Sequence, residues 1–382
     1  MSKRVLIVAQ VIPQWYVDLL TEAMGSDTHI DIITGSDVRG NVIPAPVHDP
    51  RSFVSRLKCW WRHYRFMSRW MRQNKHRHYD LVFAISNPPI NSYVGLKLKK
   101  VFRAPFVYMN WDIYPQIIDL TIRNPLVHFA CSLWKGWNNR NYPKIDRMLT
   151  IGEVVSESIN AELKKPIRID VLPIAVNTRF LMPIDRLDNR FCAENGLKDK
   201  FVVLYSGKMG FGHNIELILS AAERLRDHED IVFVFIGEGQ KVDLVRGAIE
   251  KGNASNVRLF PLQPDEMFRY SMACGDVGVV AEEESMAHLF MPSKTYSMLA
   301  CGMPVIGICS ERDDLQRLLS TQDIGVAVTD NQAETFCRCV LDWYENREKL
   351  ASLKKKARIC AEEQFDLTIV QRQYRALFEE FL

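Results

Sequence analysis

The chain has no run of about 18 or more apolar residues, so it holds no segment able to cross a bilayer as a helix. Its nine cysteines are scattered, and only Cys337 and Cys339 stand close together. That pattern lacks metal-ligand spacing and does not suggest a disulfide framework; an odd number also suits a reducing cytoplasm. There are no internal repeats and no low-complexity tracts, which argues against a repeat array or a biased tail. A large net charge is missing too: at +3 over 382 residues the protein as a whole is not a polyanion binder. The first apolar run, Val5–Ala9, is too short and comes too soon after Met-Ser-Lys-Arg for a signal peptide, and reads as a buried strand.

Alternation organises what is present. Runs that read as buried strands stand at Val5–Ala9, Ile30–Thr34, Leu81–Ser86, Phe106–Met109, Arg147–Ile151 and Ile169–Leu172. Stretches of helical period, such as Val94–Val101 and Val154–Leu163, lie between most of them. Strands alternating with helices predict a parallel sheet covered on both faces. Residues 173–200 break the rhythm with Pro173-Ile-Ala-Val-Asn177 and a polar, charged stretch, and read as a linker. Alternation restarts with Phe201–Ser206, Ile231–Ile236, Val257–Phe260, Asp276–Val280, Pro304–Ile308 and Ile324–Val328. The expected fold class is α/β, two Rossmann-like doubly wound domains facing a cleft, over 1–172 and 201–366, with ligands outside the carboxyl ends of the strands.

Arg51 to Arg77 holds nine Lys or Arg and no Asp or Glu. Phe53, Leu57, Trp60, Trp61, Tyr64, Met67 and Met71 fall at helical spacing, with Arg56, Arg62, Arg65, Arg69 and Arg72 largely beside or opposite them. A basic helix with a Trp-rich face suits a membrane surface. It also suits a helix packed by its aromatic face into the first domain, or a nucleic-acid contact. Lys97, Lys99, Lys100 and Arg103 add cations to the same domain and favour the membrane reading or a polyanionic acceptor. Asp112, just after the strand Phe106–Met109, is the best-placed carboxylate there for acid–base work or hydroxyl binding; capping of a helix from Ile113 is the plainer role.

In the second half, Met291 to Ile306 reads as loop, abrupt helix, glycine stop and buried strand. Pro292 suits a first helical turn, and Ser293 and Lys294 stand where free N–H groups gather, a good phosphate seat. Ser206-Gly207-Lys208-Met209-Gly210-Phe211-Gly212-His213-Asn214 lies between a strand and a helix, where Lys208 and His213 can neutralise phosphate. It is not a P-loop, because Met follows the Gly-Lys. Gly237-Glu238-Gly239 is a second strand–turn–helix joint, and Glu282, Glu283 and Glu284 follow the strand Asp276–Val280. Each stretch taken alone also fits an ordinary turn or a solvated loop.

Together these stretches resemble the retaining glycosyltransferases of family four, which have the GT-B fold. "SGKMGFGHNIELILSAAERL", "VFVFIGEG", "NVRLFPLQPDEMFRYSMACGDVGVV" and "MPSKTYSMLACGMPVIG" stand in the family's order and spacing. The Pro-Ser-Lys version is similar to the bacterial branch that builds O-antigen, capsule and colanic-acid chains. The resemblance implies a hexosyl- or N-acetylhexosaminyl-transferase that moves a sugar from a nucleotide-diphosphate donor, UDP-linked, to a lipid-linked or saccharide acceptor. It further implies no metal or cofactor, no nucleic acid, a place on the inner face of the cytoplasmic membrane, and a last helix, about 367–382, that packs back on the first domain.

Carried over residue by residue, Lys208 and Lys294 are the implied catalytic cations, with Asp112 in the first domain. Gly207, His213, Gly237, Glu238, Leu262, Glu283, Ser293, Thr295 and Ser297 are implied donor contacts, with Glu282, Glu283 or Glu284 as the substitute for a sugar-binding carboxylate. Trp60, Trp61, Arg62, Arg65 and Arg69 are the implied membrane or acceptor face. The chain departs from the family where two Glu seven residues apart are common: it has Leu289 and Ser297. It also has Pro13-Gln14-Trp15 in place of a Gly-Gly loop, and Trp111 in place of the usual His beside Asp112. A GT-B sugar-nucleotide epimerase, a nonenzymatic partner that kept the fold and a nucleic-acid binder using Arg51 to Arg77 are the competing readings.

Overall fold

Continuous apolar runs make the strands, as expected of parallel sheets covered on both sides. The computed structural model describes residues 2–49, 51–252, 254–286, 289 and 291–382. Among them are two parallel sheets, of seven and six strands. The first holds β1 (Lys3–Val8), β2 (Thr28–Thr34), β3 (Asn41–Pro44), β4 (Leu81–Ile85), β5 (Phe106–Asn110), β6 (Arg147–Thr150) and β7 (Ile169–Val171), in spatial order β3-β2-β1-β4-β5-β6-β7. The second holds β8 (Phe201–Ser206), β9 (Ile231–Ile236), β10 (Val257–Phe260), β11 (Val277–Ala281), β12 (Val305–Ile308) and β13 (Gly325–Val328), in order β10-β9-β8-β11-β12-β13. Every residue of β4, β5, β8, β9, β11 and β12 is buried. The α/β class is as expected. β3 escaped the sequence reading because it is a short, half-exposed edge strand ending in Pro44, with no apolar run to mark it.

The chain divides into residues 1–173 with 370–382, and residues 174–369. Residues 174–200, read above as a linker, lie within the second unit. There Phe191, Cys192 and Leu197 are buried and the Asn189 amide donates to the Tyr270 carbonyl at 2.9 Å. The last helix, Leu367–Glu379, ends in the first unit. Tyr374 shares a 2.7 Å hydroxyl hydrogen bond with Tyr16, and the Phe378 ring lies 5.8 Å from that of Phe83.

The basic stretch forms the helix Phe53–Asn74, started by Ser52, whose hydroxyl accepts from the Ser55 N–H. Its inward face is Cys59, Trp60, His63, Met67, Trp70 and Met71. This corrects the place of Trp60 on an outer face: it is 7% exposed and packs with Ile118 and Cys131, its ring edge-on to Trp134 at 6.3 Å. Trp61, Arg62, Arg65 and Arg69 do face outward, Trp61 at 59% exposure with the Arg65 guanidinium 4.7 Å above its ring. Successive helical residues point about 100° apart, so Trp60 turns inward while Trp61 stays at the surface. The aromatic face is thus partly a core face, and the basic residues Arg62, Arg65 and Arg69 lie on the exposed side.

Candidate functional site

In the second sheet strand order reverses between β8 and β11, and such a switch point opens a crevice at the carboxyl ends of the strands. The turns after β8, β9, β10 and β11 leave from that edge. β8 and β9 end in register, Ser206 opposite Ile236, so their glycine turns meet. The Gly207 N–H donates to the Ile236 carbonyl at 2.8 Å, that of Met209 to Glu238 at 2.7 Å, and that of Lys241 back to Met209 at 2.9 Å. Gly237 has φ +151°, and a Cβ there would lie 1.9 Å from the Gly207 oxygen. The Gly-x-Gly at 237–239 is thus first a clasp that lets two backbones touch.

Lys294 opens the short helix Lys294–Ala300 and lies across Gly207, where a Cβ would come 3.4 Å from its Cε. Its ammonium donates to the Tyr205 hydroxyl at 2.8 Å and sits 4.1 Å from that ring's centroid. The Tyr205 hydroxyl in turn donates to the Lys208 carbonyl at 2.8 Å. One phenol therefore ties the lysine to the glycine loop. Burial pulls the Lys294 pKa down to about 7, and Glu282 partly opposes that shift.

The three consecutive glutamates have three different surroundings. Glu282, at the end of β11, is 2% exposed; its N–H donates to the Ile308 carbonyl at 2.8 Å, and its carboxyl faces Asp313 and Lys294. Burial, with Asp313 adding to it, pushes that carboxyl well above the usual range. Glu283 pairs with Lys241 at 2.7 Å, and Lys241 also binds Glu216 and the His213 carbonyl, each at 2.8 Å. Glu284 is exposed. The carboxylate of Glu283, assigned from sequence to the sugar, is thus engaged in a clamp. Lys241 lies far in sequence from Glu216 and Glu283, and nothing in its own neighbourhood announced the clamp.

Two further expected donor contacts have surroundings the sequence did not show. Burial, with Lys294, Lys208 and Lys241 nearby, lowers the His213 pKa to about 4, and its Nδ1–H donates to the Ala281 carbonyl at 3.0 Å. Its Nε2 is left as an acceptor. Thr295 is fully buried. Pro292 stands one residue before the N-cap rather than in the first turn, and Ser293, at the N-cap, is exposed and makes no capping bond. Lys208, Glu238 and Leu262 are exposed at the same strand edge, and Ser297 is half-buried.

Asp112 belongs to the first unit, after β5. It caps no helix, since the next one starts at Gln116. It is half-buried, and burial raises its carboxyl to about 6. Among the described residues no cluster of three His, Cys, Asp or Glu side chains could hold a metal ion.

The family of group 1 glycosyl transferases matches residues 189–359. WbjE of Pseudomonas aeruginosa, named as a glycosyltransferase, is 24% identical over 261 residues, 68% of this chain and 65% of its own length. WcaI of Escherichia coli K12, named as a glycosyl transferase of colanic acid biosynthesis, is 32% identical over 131 residues, 34% of this chain and 31% of its own. The matches thus span less than two thirds of these relatives. The solved structure of Alr3699/HepE from Anabaena, in complex with UDP, superposes with a TM-score of 0.75 at 13% identity, covering 99% of this chain and 100% of the other.

Proposed function

We propose that the chain, whose residues 189–359 match the family of group 1 glycosyl transferases and whose fold is GT-B, is a retaining glycosyltransferase of bacterial surface polysaccharide synthesis. The donor is a nucleotide-diphosphate sugar, and the UDP bound to the Anabaena neighbour supports a uridine base. The acceptor is lipid-linked or a saccharide, met at the inner face of the cytoplasmic membrane, to which the basic helix Phe53–Asn74 is suited. The observation that carries this reading is Lys294, laid over Gly207 at the switch point of the second sheet.

The leaving group is a nucleoside diphosphate, and its charge grows as the bond from the sugar's anomeric carbon to phosphate oxygen breaks. Lys294, with Lys208 beside it, meets that charge, so no metal is part of the proposal. The acceptor hydroxyl forms the new bond on the same face of the sugar, and its proton passes to the departing phosphate oxygen. No protein nucleophile takes part. Asp112, with a carboxyl near 6, is the first unit's candidate for orienting the acceptor hydroxyl. Glu282, buried beside Lys294, partly offsets the burial that makes that lysine shed its proton.

The test is a screen of UDP-, GDP- and dTDP-sugars for thermal stabilisation of the purified protein, followed by transfer with the ligand that binds. A ligand at one hundred times its Kd stabilises by about 2.7 kcal/mol. Absence of stabilisation by every nucleotide sugar would falsify the transferase reading, and an epimer formed from donor alone would replace it.

Tyr205 is a positioning residue in this scheme. Tyr205→Phe removes the acceptor of the Lys294 proton, a bond to a charged group worth roughly 1.5–3 kcal/mol, together with the hydroxyl that donates to the Lys208 carbonyl. The alkaline limb of donor binding is expected to move down by about one to two pH units, with KM rising more than kcat falls. A pH profile that superimposes on the parent's would remove Tyr205 from this role.

A further inference from the structure

The helix Pro125–Asn141 was not singled out by the sequence, yet Leu126, Phe129 and Leu133 on it are more exposed than any large apolar side chain on the other described helices of the first unit. Asn124 starts it by accepting from the Leu126 and Val127 N–H groups, with Pro125 in the first turn. Val127, Cys131 and Trp134 pack inward against Trp60 and Ile118. Leu126, Phe129 and Leu133, spaced by three and four residues, form a second stripe that covers nothing: they are 80%, 64% and 62% exposed. Single exposed apolar residues need no explanation, but a contiguous stripe does.

The stripe is continued by the neighbouring basic helix. Leu57 and Trp61, also exposed, share with Leu133 a trough of about 660 Å³. Arg65 lies on the Trp61 ring, and Lys97 lies 4.5 Å from the Tyr93 ring centroid with its ammonium donating to the Tyr64 hydroxyl at 2.9 Å. The helices Phe53–Asn74, Asn91–Phe102 and Pro125–Asn141 contain no Asp or Glu at all. The nearby Asp119 is engaged by His128 at 2.7 Å and Lys135 at 3.2 Å. No helix among the described residues is long and apolar enough to cross a membrane.

We infer that the stripe Leu126–Phe129–Leu133 inserts into an anionic lipid leaflet, with Leu57 and Trp61 beside it and Arg62, Arg65 and Arg69 resting on the headgroups. An apolar ridge bordered by cations and free of carboxylates matches the interface between acyl chains and anionic headgroups. This deepens the membrane part of the proposed function by naming the inserted element, which is a different helix from the one the sequence pointed to.

The test is co-sedimentation with vesicles of phosphatidylcholine alone or mixed equally with phosphatidylglycerol. The parent is expected to bind the mixed vesicles and to release as salt rises. Leu126→Ser/Phe129→Ser/Leu133→Ser is expected to weaken binding on the order of a hundredfold, because three large apolar side chains lose their burial. Arg62→Ser/Arg65→Ser/Arg69→Ser is expected to lose a similar factor on mixed vesicles only. The first variant should keep its UDP affinity, which separates failure of this surface from failure of the transferase reading. If the parent binds and the first variant binds equally well, the inserted element is overturned while the membrane reading stands. If the parent binds no vesicle, both fall. A vesicle-free dimer abolished by the first variant assigns the stripe to a second copy of the chain and also overturns the inference.

Discussion

Lys294→Ala is expected to lower kcat/KM about 10²–10³-fold, equivalent to roughly 3–4 kcal/mol of transition-state stabilisation, while cooperative unfolding is retained. The lysine touches the glycine loop through Tyr205 but packs at the mouth of the sheet rather than in its core, so its loss removes charge without removing a packing layer. The same lysine predicts a pH dependence whose sign follows from its depressed pKa of about 7. Below pH 7 the ammonium is already charged and binds diphosphate directly. Above pH 7 binding must take up a proton, so affinity falls by up to tenfold per pH unit until the pKa of the complex is reached. Calorimetry at pH 8 in buffers of different ionisation enthalpy reads that uptake, and Lys294→Ala should abolish it. A variant that retains near-parental turnover, or a parent that binds UDP with no proton uptake at pH 8, removes Lys294 from the diphosphate site.

The linked effect on folding has the opposite direction. Burial favours neutral Lys294 in the folded state, and the unfolded lysine titrates near the ordinary lysine value of 10.5. Between about pH 7 and 10.5 the unfolded chain holds the extra proton, so this residue's contribution to stability rises with pH across that window.

Gly237→Ala is expected to be the most damaging single-methyl change in the second unit. The new Cβ would meet the Gly207 carbonyl oxygen at 1.9 Å, at a φ of +151° that side chains rarely adopt. Overpacking of about 1–3 kcal/mol and backbone strain of about 1–3 kcal/mol add to a loss on the order of 3–5 kcal/mol. Because the oxygen belongs to the loop that Lys294 overlies, UDP binding should fall with stability. Gly247→Ala is the control: its Cβ would have nothing within 4 Å inside the helix Val242–Glu250, and a gain of about 0.5–1 kcal/mol is expected. Urea midpoints and UDP titrations of the two variants check this. Equal stability of Gly237→Ala and the parent would show that the two turns do not depend on their contact.

The cations and glycines at the switch point were legible because they are local. Gly207-Lys208 and Ser293-Lys294 each sit between a strand or loop and a helix, and that arrangement is visible in a few consecutive letters. Burial was not legible in the same way. Glu282, Glu283 and Glu284 are identical as letters, yet one is buried beside Lys294, one is clamped by Lys241 and one faces outward. His213 reads as a second cation, and only the fold shows its neighbours, three lysines and a low-dielectric wall. Leu126, Phe129 and Leu133 have helical spacing that could have been read in advance. The flanking Val127, Cys131 and Trp134 have it too, and only packing tells the covered stripe from the bare one.

By itself the sequence determined the α/β class, most of the strands and the two glycine turns, because parallel strands buried on both faces require unbroken apolar runs and tight turns require glycine. Only the tertiary structure decided that Tyr205 holds Lys294 and that Trp60 faces in while Trp61 faces out. It also decided that a second helix completes the apolar face beside the basic one. Those outcomes depend on which side chains distant in sequence exclude water from one another, and that exclusion exists only once the sheets and helices have closed around them.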